Sequence, residues 1–258
     1  MSPAPIPARM AAPAAFETSE PGKIPKKIVG EINIRICAAP MLAEREIMKL
    51  YIYEHCPFSA RARTIFGLKG IPVEISVVME GDAETSIRIV GKKVVPILEK
   101  DDGTAMAESM DIVRYVDEQF PPKCLTDPVR EEIEAWCKEA RSTISKLAIP
   151  RMTKSSFKEN ATEAARKAYL EREQRALGDL EALMSDTPKL VVEAEELLAR
   201  LELIIRDWKA YSETDLVLYS QLRSLSIVKG IKFGPKALDF ARKMSALGGV
   251  PLLHDRAI

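Results

Sequence analysis

The sequence changes character at Phe120-Pro121-Pro122. Two adjacent prolines remove two backbone donors and push the residue before each of them out of helical geometry, so a helix arriving there ends. Before the break, strand-like and helical patterns alternate. After it, only helical spacing remains. On the N-terminal side, Met48 to Glu54 reads as a strand and Pro57 to Lys69 as a helix with proline in its first turn. Pro72 to Met79 is a second, Val- and Ile-rich strand. A short helix fits Asp82 to Val90 and a third strand Val94 to Glu99. Asp101-Asp102-Gly103 then turns the chain into a short antiparallel strand at Thr104 to Met106, and a helix over Ser109 to Glu118 closes the unit. The strand-helix-strand opening is long enough for a crossover, so the first two strands can lie parallel. On the C-terminal side, residues 130–149, 161–184, 190–208, 213–229 and 235–246 carry apolar residues at three- and four-residue spacing, punctuated by Pro150, Pro188, Gly230 and Pro235. Ser212-Glu213-Thr214-Asp215 is a capping box that starts a core helix, which makes Asp215 structural. The pattern therefore predicts an α/β unit over 48–120, a linker over 121–129 and an all-α unit over 130–258.

Residues 1–47 are a different kind of sequence, Ala-rich and broken by seven prolines, and they read as a disordered extension. Within it, Lys27 to Ile36 has the pattern of an isolated strand. A targeting peptide is a second reading, opposed by Glu17, Glu20, Glu31, Glu44 and Glu46, and a true start at Met48 is a third. Lys+Arg 38 balances Asp+Glu 38, so no net field steers the chain toward nucleic acid or an anionic membrane. No run reaches the roughly 18 to 20 apolar residues of a spanning helix. Cys37, Cys56, Cys124 and Cys137 form no C-x-x-C pair and, with His55 and His254 as the only histidines, no zinc spacing. A metal site is not expected, and such sparse cysteine use fits a reducing, cytoplasmic setting.

Three short stretches carry chemistry. Cys56 lies where the first strand gives way to the first helix, and free amides at a helix start favour thiolate over thiol. Val95-Pro96 stands at a strand entrance, where proline is either an edge device or, in the cis form, a means of presenting the preceding backbone to an extended peptide. Glu108-Ser109 directly precedes a helix. It is either an ordinary cap or a site where hydroxyl and amides take a carboxylate while Glu108 takes an adjacent ammonium. An amino-acid head, a peptide middle and a thiol together describe glutathione.

These stretches, with Lys49-Leu50-Tyr51-Ile52-Tyr53, Ile65-Phe66-Gly67-Leu68-Lys69, Ile71-Pro72-Val73-Glu74, Asp82-Ala83-Glu84-Thr85 and Val95-Pro96-Ile97-Leu98, occur in the order seen in the bacterial glutaredoxin-2 family. Ile149-Pro150-Arg151, Ala164-Ala165-Arg166-Lys167 and the final Ala257-Ile258 continue the likeness, so the chain from Met48 to Ile258 resembles that family. The resemblance implies a thioredoxin-like N-terminal domain followed by an all-helical domain, the architecture of a glutathione transferase. It implies that Cys56 is the nucleophile, that Cys56, Pro57 and Phe58 contribute to the glutathione site, that the Val95 backbone pairs with glutathione beside cis-Pro96, and that Glu108 and Ser109 hold the γ-glutamyl end. It further implies a monomer acting on glutathione and on glutathionylated proteins or small mixed disulfides.

One position departs from the pattern. The family usually carries a second cysteine where this chain has Ser59, and serine cannot resolve a mixed disulfide, so only a monothiol route is expected. C-P-F-S also resembles the motif of chloride-intracellular-channel-like proteins, which would bind glutathione without turnover, and nears that of omega-class transferases. Lys92 and Lys93 are candidates for the glycyl carboxylate; Arg61 and Arg63, in the first helix, either help bind a glutathione carboxylate or, the preferred reading, lie on a solvated face. His55 is a candidate stabiliser of the thiolate, though neighbouring strand residues point to opposite faces. Cys124 and Cys137 are read as packing residues, and Trp136 and Trp208 as core anchors.

Overall fold

A computed structural model describes residues 47–206 and 210–258, so the expected strand at Lys27 to Ile36, Cys37 and Trp208 lie outside the described residues. The first half is a four-stranded sheet in the order β2-β1-β3-β4. Its strands are β1 (Lys49–Ile52), β2 (Glu74–Val77), β3 (Ile97–Glu99) and β4 (Ala105–Ala107). Leu50 of β1 stands opposite Ile75 of parallel β2 and Leu98 of antiparallel β3, and Leu98 stands opposite Met106 of β4. Side chains alternate across the sheet. Leu50, Ile52 and Leu98 join the main core, whereas Tyr51, Tyr53 and Ile97 pack with Cys56 and Val78 in a second cluster. That alternation brings the cysteine to the opposite side of the sheet from the main core.

Helix α1 (Pro57–Lys69) follows β1. Pro57 occupies the first turn, and Gly70, at φ 63°, ends the helix by donating its amide to the Gly67 carbonyl. Helices α2 (Glu84–Val90) and α3 (Ser109–Gln119) complete the α/β unit. Beyond it come α4 (Glu131–Lys154), α5 (Glu163–Leu177), α6 (Leu180–Ser185), α7 (Thr187–Ile204), α8 (Glu213–Leu225) and α9 (Pro235–Gly248). This is a thioredoxin-like sheet domain joined to an all-helical one. Helix α1 packs on α3 of its own unit and on α8 and α9 of the helical half, so one helix begins at the cysteine and ends in the contact between the two halves. At that contact a Cβ on Gly67 would enter the backbone of Gly248, so the two helices meet without side chains between them. No helix among the described residues is long and apolar enough to cross a membrane.

The structure corrects the sequence reading at several boundaries. Pro150 does not end α4, which continues to Lys154; the buried Arg151 guanidinium donates to the Leu147 carbonyl and supports the turn that the proline disturbs. The single helix expected over 161–184 is two. Gly178, at φ 82°, ends α5, and the Asp179 carboxylate accepts from the amides of Glu181 and Ala182 to start α6. Pro188 lies in the first turn of α7 instead of breaking it, and the helix expected to run to residue 229 stops at Leu225. The capping box forms as expected: Asp215 takes the Ser212 amide at 2.7 Å and also binds Arg130 at 2.6 Å. Trp136 is a buried anchor whose indole N–H donates to the Leu197 carbonyl at 2.7 Å. Cys124 and Cys137 are buried, and burial pushes the Cys137 thiol up to about 12, which suits packing and not reaction.

Candidate active site

The Cys56 backbone, at φ −65° and ψ 125°, ends the extended segment, and its carbonyl accepts the Ala60 amide as the first bond of α1. Cys56, 8% exposed, packs in one apolar cluster with Tyr53 and Val78. Burial pushes the Cys56 thiol up from its ordinary value and outweighs what pulls it down: the Ser59 and Phe58 amides, the Ser59 hydroxyl and the Arg172 charge. The expected thiolate-favouring helix start is therefore present, but burial outweighs it. Ser59 is fully buried beneath the cysteine, and its Oγ also accepts the Tyr53 amide at 3.4 Å.

Cys56 opens into a cavity of about 500 Å³ between the two halves. Of the residues singled out in the sequence, His55, Cys56, Pro57, Phe58, Arg61, Lys93 and Val95 line it. The Val95–Pro96 peptide is cis, and Pro96 is buried behind Val95. Glu108 and Ser109 do not line this cavity. Ser109 is buried at the start of α3, and Glu108 has the left-handed φ of 72°, a backbone conformation costly for a residue other than glycine. The exposed Glu108 carboxylate is paired with Lys92 at 2.8 Å, which removes Lys92 as an unengaged partner for the glycyl carboxylate and leaves Lys93 facing the cavity.

Two expectations fail here. Arg61 is not solvated: it is 7% exposed, its Nε donates to Ser220 Oγ at 3.0 Å, and its guanidinium lies 4.8 Å from the centre of the Phe58 ring. Arg63 is half-buried, and burial lowers its pKa. His55 does not serve Cys56. Its amide and Nδ1 both meet Glu159 Oε1, at 2.9 and 2.6 Å, and since a carboxylate only accepts, Nδ1 carries the proton. Burial would push the Glu159 carboxyl up, but the bonds from His55 hold it below the ordinary value.

Around this pair lies a network that sequence reasoning missed. His55 Nε2 is 3.8 Å from Glu80, Glu80 binds Arg172 at 2.9 Å, and Arg172 also binds Glu173 at 2.8 Å. The Tyr169 ring lies 4.5 Å from that of His55, and Arg172 covers the Tyr53 and Tyr169 rings. Burial pushes the Glu80 carboxyl up. Arg172, Glu173 and Tyr169 come from α5, whose charged sequence gives no sign of facing a cleft, and the motif they support is more than a hundred residues earlier. Among the described residues no group of three or more His, Cys, Asp or Glu is placed to hold a metal ion.

Comparison with known proteins gives consistent results for both halves. A family model described as "Glutaredoxin 2, C terminal domain" matches residues 132–257, and one described as "Glutathione S-transferase, N-terminal domain" matches 50–124. The chain is 40% identical to glutaredoxin 2 of Escherichia coli K12 over 215 residues, covering 82% of this chain and 100% of that protein. Identity to glutathione S-transferase omega-1 of Sus scrofa is 23% over 223 residues, 84% of each chain. The crystal structure of glutaredoxin 2 from Salmonella typhimurium in complex with glutathione superposes with a TM-score of 0.80 at 38% identity, covering 83% of this chain and 100% of that one. Glutathione transferase GSTFuA3 from Phanerochaete chrysosporium, at 17% identity and TM-score 0.63 over 79% of this chain and 98% of that one, shares the fold.

Proposed function

The chain belongs to the glutaredoxin 2 family, and from that premise we propose that it is a glutathione-dependent oxidoreductase that removes glutathione from mixed disulfides by a monothiol route through Cys56. The domains are 48–120 and 130–258, joined by 121–129. The observation that carries the reading is a single cysteine at the start of α1, opening into a cavity that Lys93 and Val95 also line.

In the first step the Cys56 thiolate attacks the glutathione sulfur of a mixed disulfide. The new bond joins Cys56 to glutathione, the old disulfide breaks, and the substrate leaves as a thiolate that takes up a proton. The Phe58 and Ser59 amides and the Ser59 hydroxyl stabilise the attacking charge. In the second step a glutathione thiolate attacks the glutathione sulfur held on Cys56, glutathione disulfide departs, and Cys56 returns as thiolate. Ser59 forms no disulfide, so no internal bond competes with that second step. The Val95 backbone aligns the peptide part of glutathione, Lys93 takes its glycyl carboxylate, and Glu108 with Ser109 takes the γ-glutamyl head. The last role requires Glu108 to exchange Lys92 for the substrate ammonium, an exchange of exposed ion pairs worth little on either side.

Glutathione-coupled reduction of a small mixed disulfide tests the reading. Wild type turns over, Cys56→Ser does not, and Ser59→Cys additionally forms an intramolecular disulfide detectable by mass. Binding of glutathione without turnover in wild type, or turnover that survives Cys56→Ser, sinks it.

A further inference from the structure

Besides the residues assigned to glutathione, the cavity is lined by residues of the helical half and by Arg61. One face of α4 lines it: Arg141, Ile144, Ser145, Ala148, Ile149 and Met152 recur at three- and four-residue spacing, the pattern of a single helix stripe. Apart from Arg141 and Ser145 that stripe is apolar, and Tyr169 extends it. At its N-terminal end Arg141 faces the same cavity as Arg61 from α1. Among the described residues neither arginine makes an ion pair. Arg61 spends one donor on Ser220 and sets its guanidinium over the Phe58 ring, which leaves the rest of its fork unbonded. Burial lowers the Arg61 pKa and the nearby Arg141 charge lowers it further, while the Cys56 and Cys137 thiols act in the other direction. Arg141 keeps contact with solvent, but it adds a second positive charge near the buried Arg61, and an anion bound between them would favour both.

We propose that Arg61, Arg141 and the apolar stripe of α4 form the subsite for the departing half of the substrate, selecting glutathione mixed disulfides whose thiol partner is an apolar, ring-sized body ending in a carboxylate. This rests on the monothiol reading above and adds the substrate class to it. Arg61 lies five residues beyond Cys56 on or beside α1, about 7 Å of helix rise, so one aromatic ring between sulfur and carboxylate spans the interval. Lys93 comes from the segment carrying Val95 and serves glutathione itself, whereas the two arginines come from α1 and α4 and serve its partner.

The test uses two isosteric mixed disulfides, of glutathione with 4-(mercaptomethyl)benzoate and with 4-(mercaptomethyl)benzamide, on the full chain. Wild type is expected to favour the carboxylate by about tenfold in kcat/KM, as befits a charge-assisted pair. Arg141→Gln, a change at an exposed position, brings that ratio close to one, and Arg61→Lys lowers it. A ratio near one in wild type, or an equal fall on both substrates in Arg141→Gln, overturns the proposal, the latter by assigning the arginine to glutathione. Calorimetry with the unreactive thioethers S-(4-carboxybenzyl)glutathione and S-(4-carbamoylbenzyl)glutathione separates this subsite from the chemistry. Equal affinities overturn the subsite whatever the disulfides do. Carboxylate-selective binding without turnover of either disulfide upholds the subsite and sinks the monothiol reaction instead.

Discussion

Replacing Ser59 by alanine tests how the Cys56 thiolate is held. Burial pushes the thiol up, and the opposing contributions are the Ser59 amide, the Ser59 hydroxyl, the Phe58 amide and Arg172, in that order of size. Ser59→Ala removes only the hydroxyl, since the amide stays. A hydrogen bond to a charged group contributes roughly 1.5–3 kcal/mol. Sulfur is a weak acceptor and the Oγ is shared with the Tyr53 amide, so the lower end applies, and the thiolate fraction at neutral pH falls about tenfold. The rate falls less than that. A thiol of higher pKa is a better nucleophile by roughly 0.4–0.5 of the same logarithmic interval, which returns about threefold and leaves a net loss of about three- to fourfold at neutral pH. At alkaline pH, where both proteins are fully ionised, only the nucleophilicity gain remains and the variant reacts about threefold faster. The two pH–rate profiles therefore cross. The assay is reaction with a small disulfide across pH, followed by the mass of the peptide containing Cys56 because the chain has four cysteines. Profiles that superimpose, or differ by a constant factor without crossing, refute the role given to the hydroxyl.

Three further outcomes follow from the same coordinates. Gly67→Ala adds about 1 kcal/mol of helix propensity, but its Cβ enters the Gly248 backbone and overpacking of that kind costs about 1–3 kcal/mol or more; the urea midpoint falls, and an unchanged or higher midpoint shows that α1 and α9 separate at little cost. Asp117 is pushed up by burial but held below its ordinary 3.8 by the Cys124 amide and the buried Lys69 ammonium. Its contribution to stability is present above pH 3.8 and fades as pH falls through its lower folded value. Asp117→Asn, which leaves the buried Lys69 ammonium without its counter-charge, is expected to cost about 3 kcal/mol at pH 7 and progressively less as the pH falls below 3.8, measured by urea unfolding across pH. Glu108→Gly relieves the left-handed backbone and stabilises the fold by about 1 kcal/mol, while glutathione KM rises about tenfold through loss of the head-group carboxylate; unchanged KM removes Glu108 from the binding site.

The sequence was most informative where a signal and its consequence are neighbours. Helix α1 runs from Pro57 to Lys69 as expected because the proline that starts it and the glycine that ends it sit at its two ends. The Ser212–Asp215 box is equally local. The Gly178-Asp179 break in the helix expected over 161–184 was also written in the chain, as a glycine followed by a capping acid, and was hidden by charged helical spacing on both sides. Strands came out shorter than their apolar runs, as Lys49–Ile52 within Met48 to Glu54 shows, because a strand extends only as far as its partner does. Pro150 misled because the support for its helix comes from a guanidinium whose orientation depends on burial.

The chemistry of Cys56 was legible in kind but not in balance. A helix start beside a cysteine is a local fact, and it argues for thiolate. What covers that cysteine is decided by packing across the two halves, and burial opposes the same thiolate. The half that encloses the cleft also sends positive charge into it: Arg172 acts directly on Cys56, and Arg141 stands with Arg61 further along the cavity. His55, the neighbour that local reasoning would enlist, is bound instead by Glu159 and shielded by Tyr169, two residues more than a hundred positions away. Reactivity here is thus a difference between a desolvation cost and a set of cations and amides that share the cavity walls. A ligand that fills the α4 side changes both sides of that difference at once: excluding water raises the desolvation cost of the thiolate and strengthens the pull of the α1 amides on the sulfur.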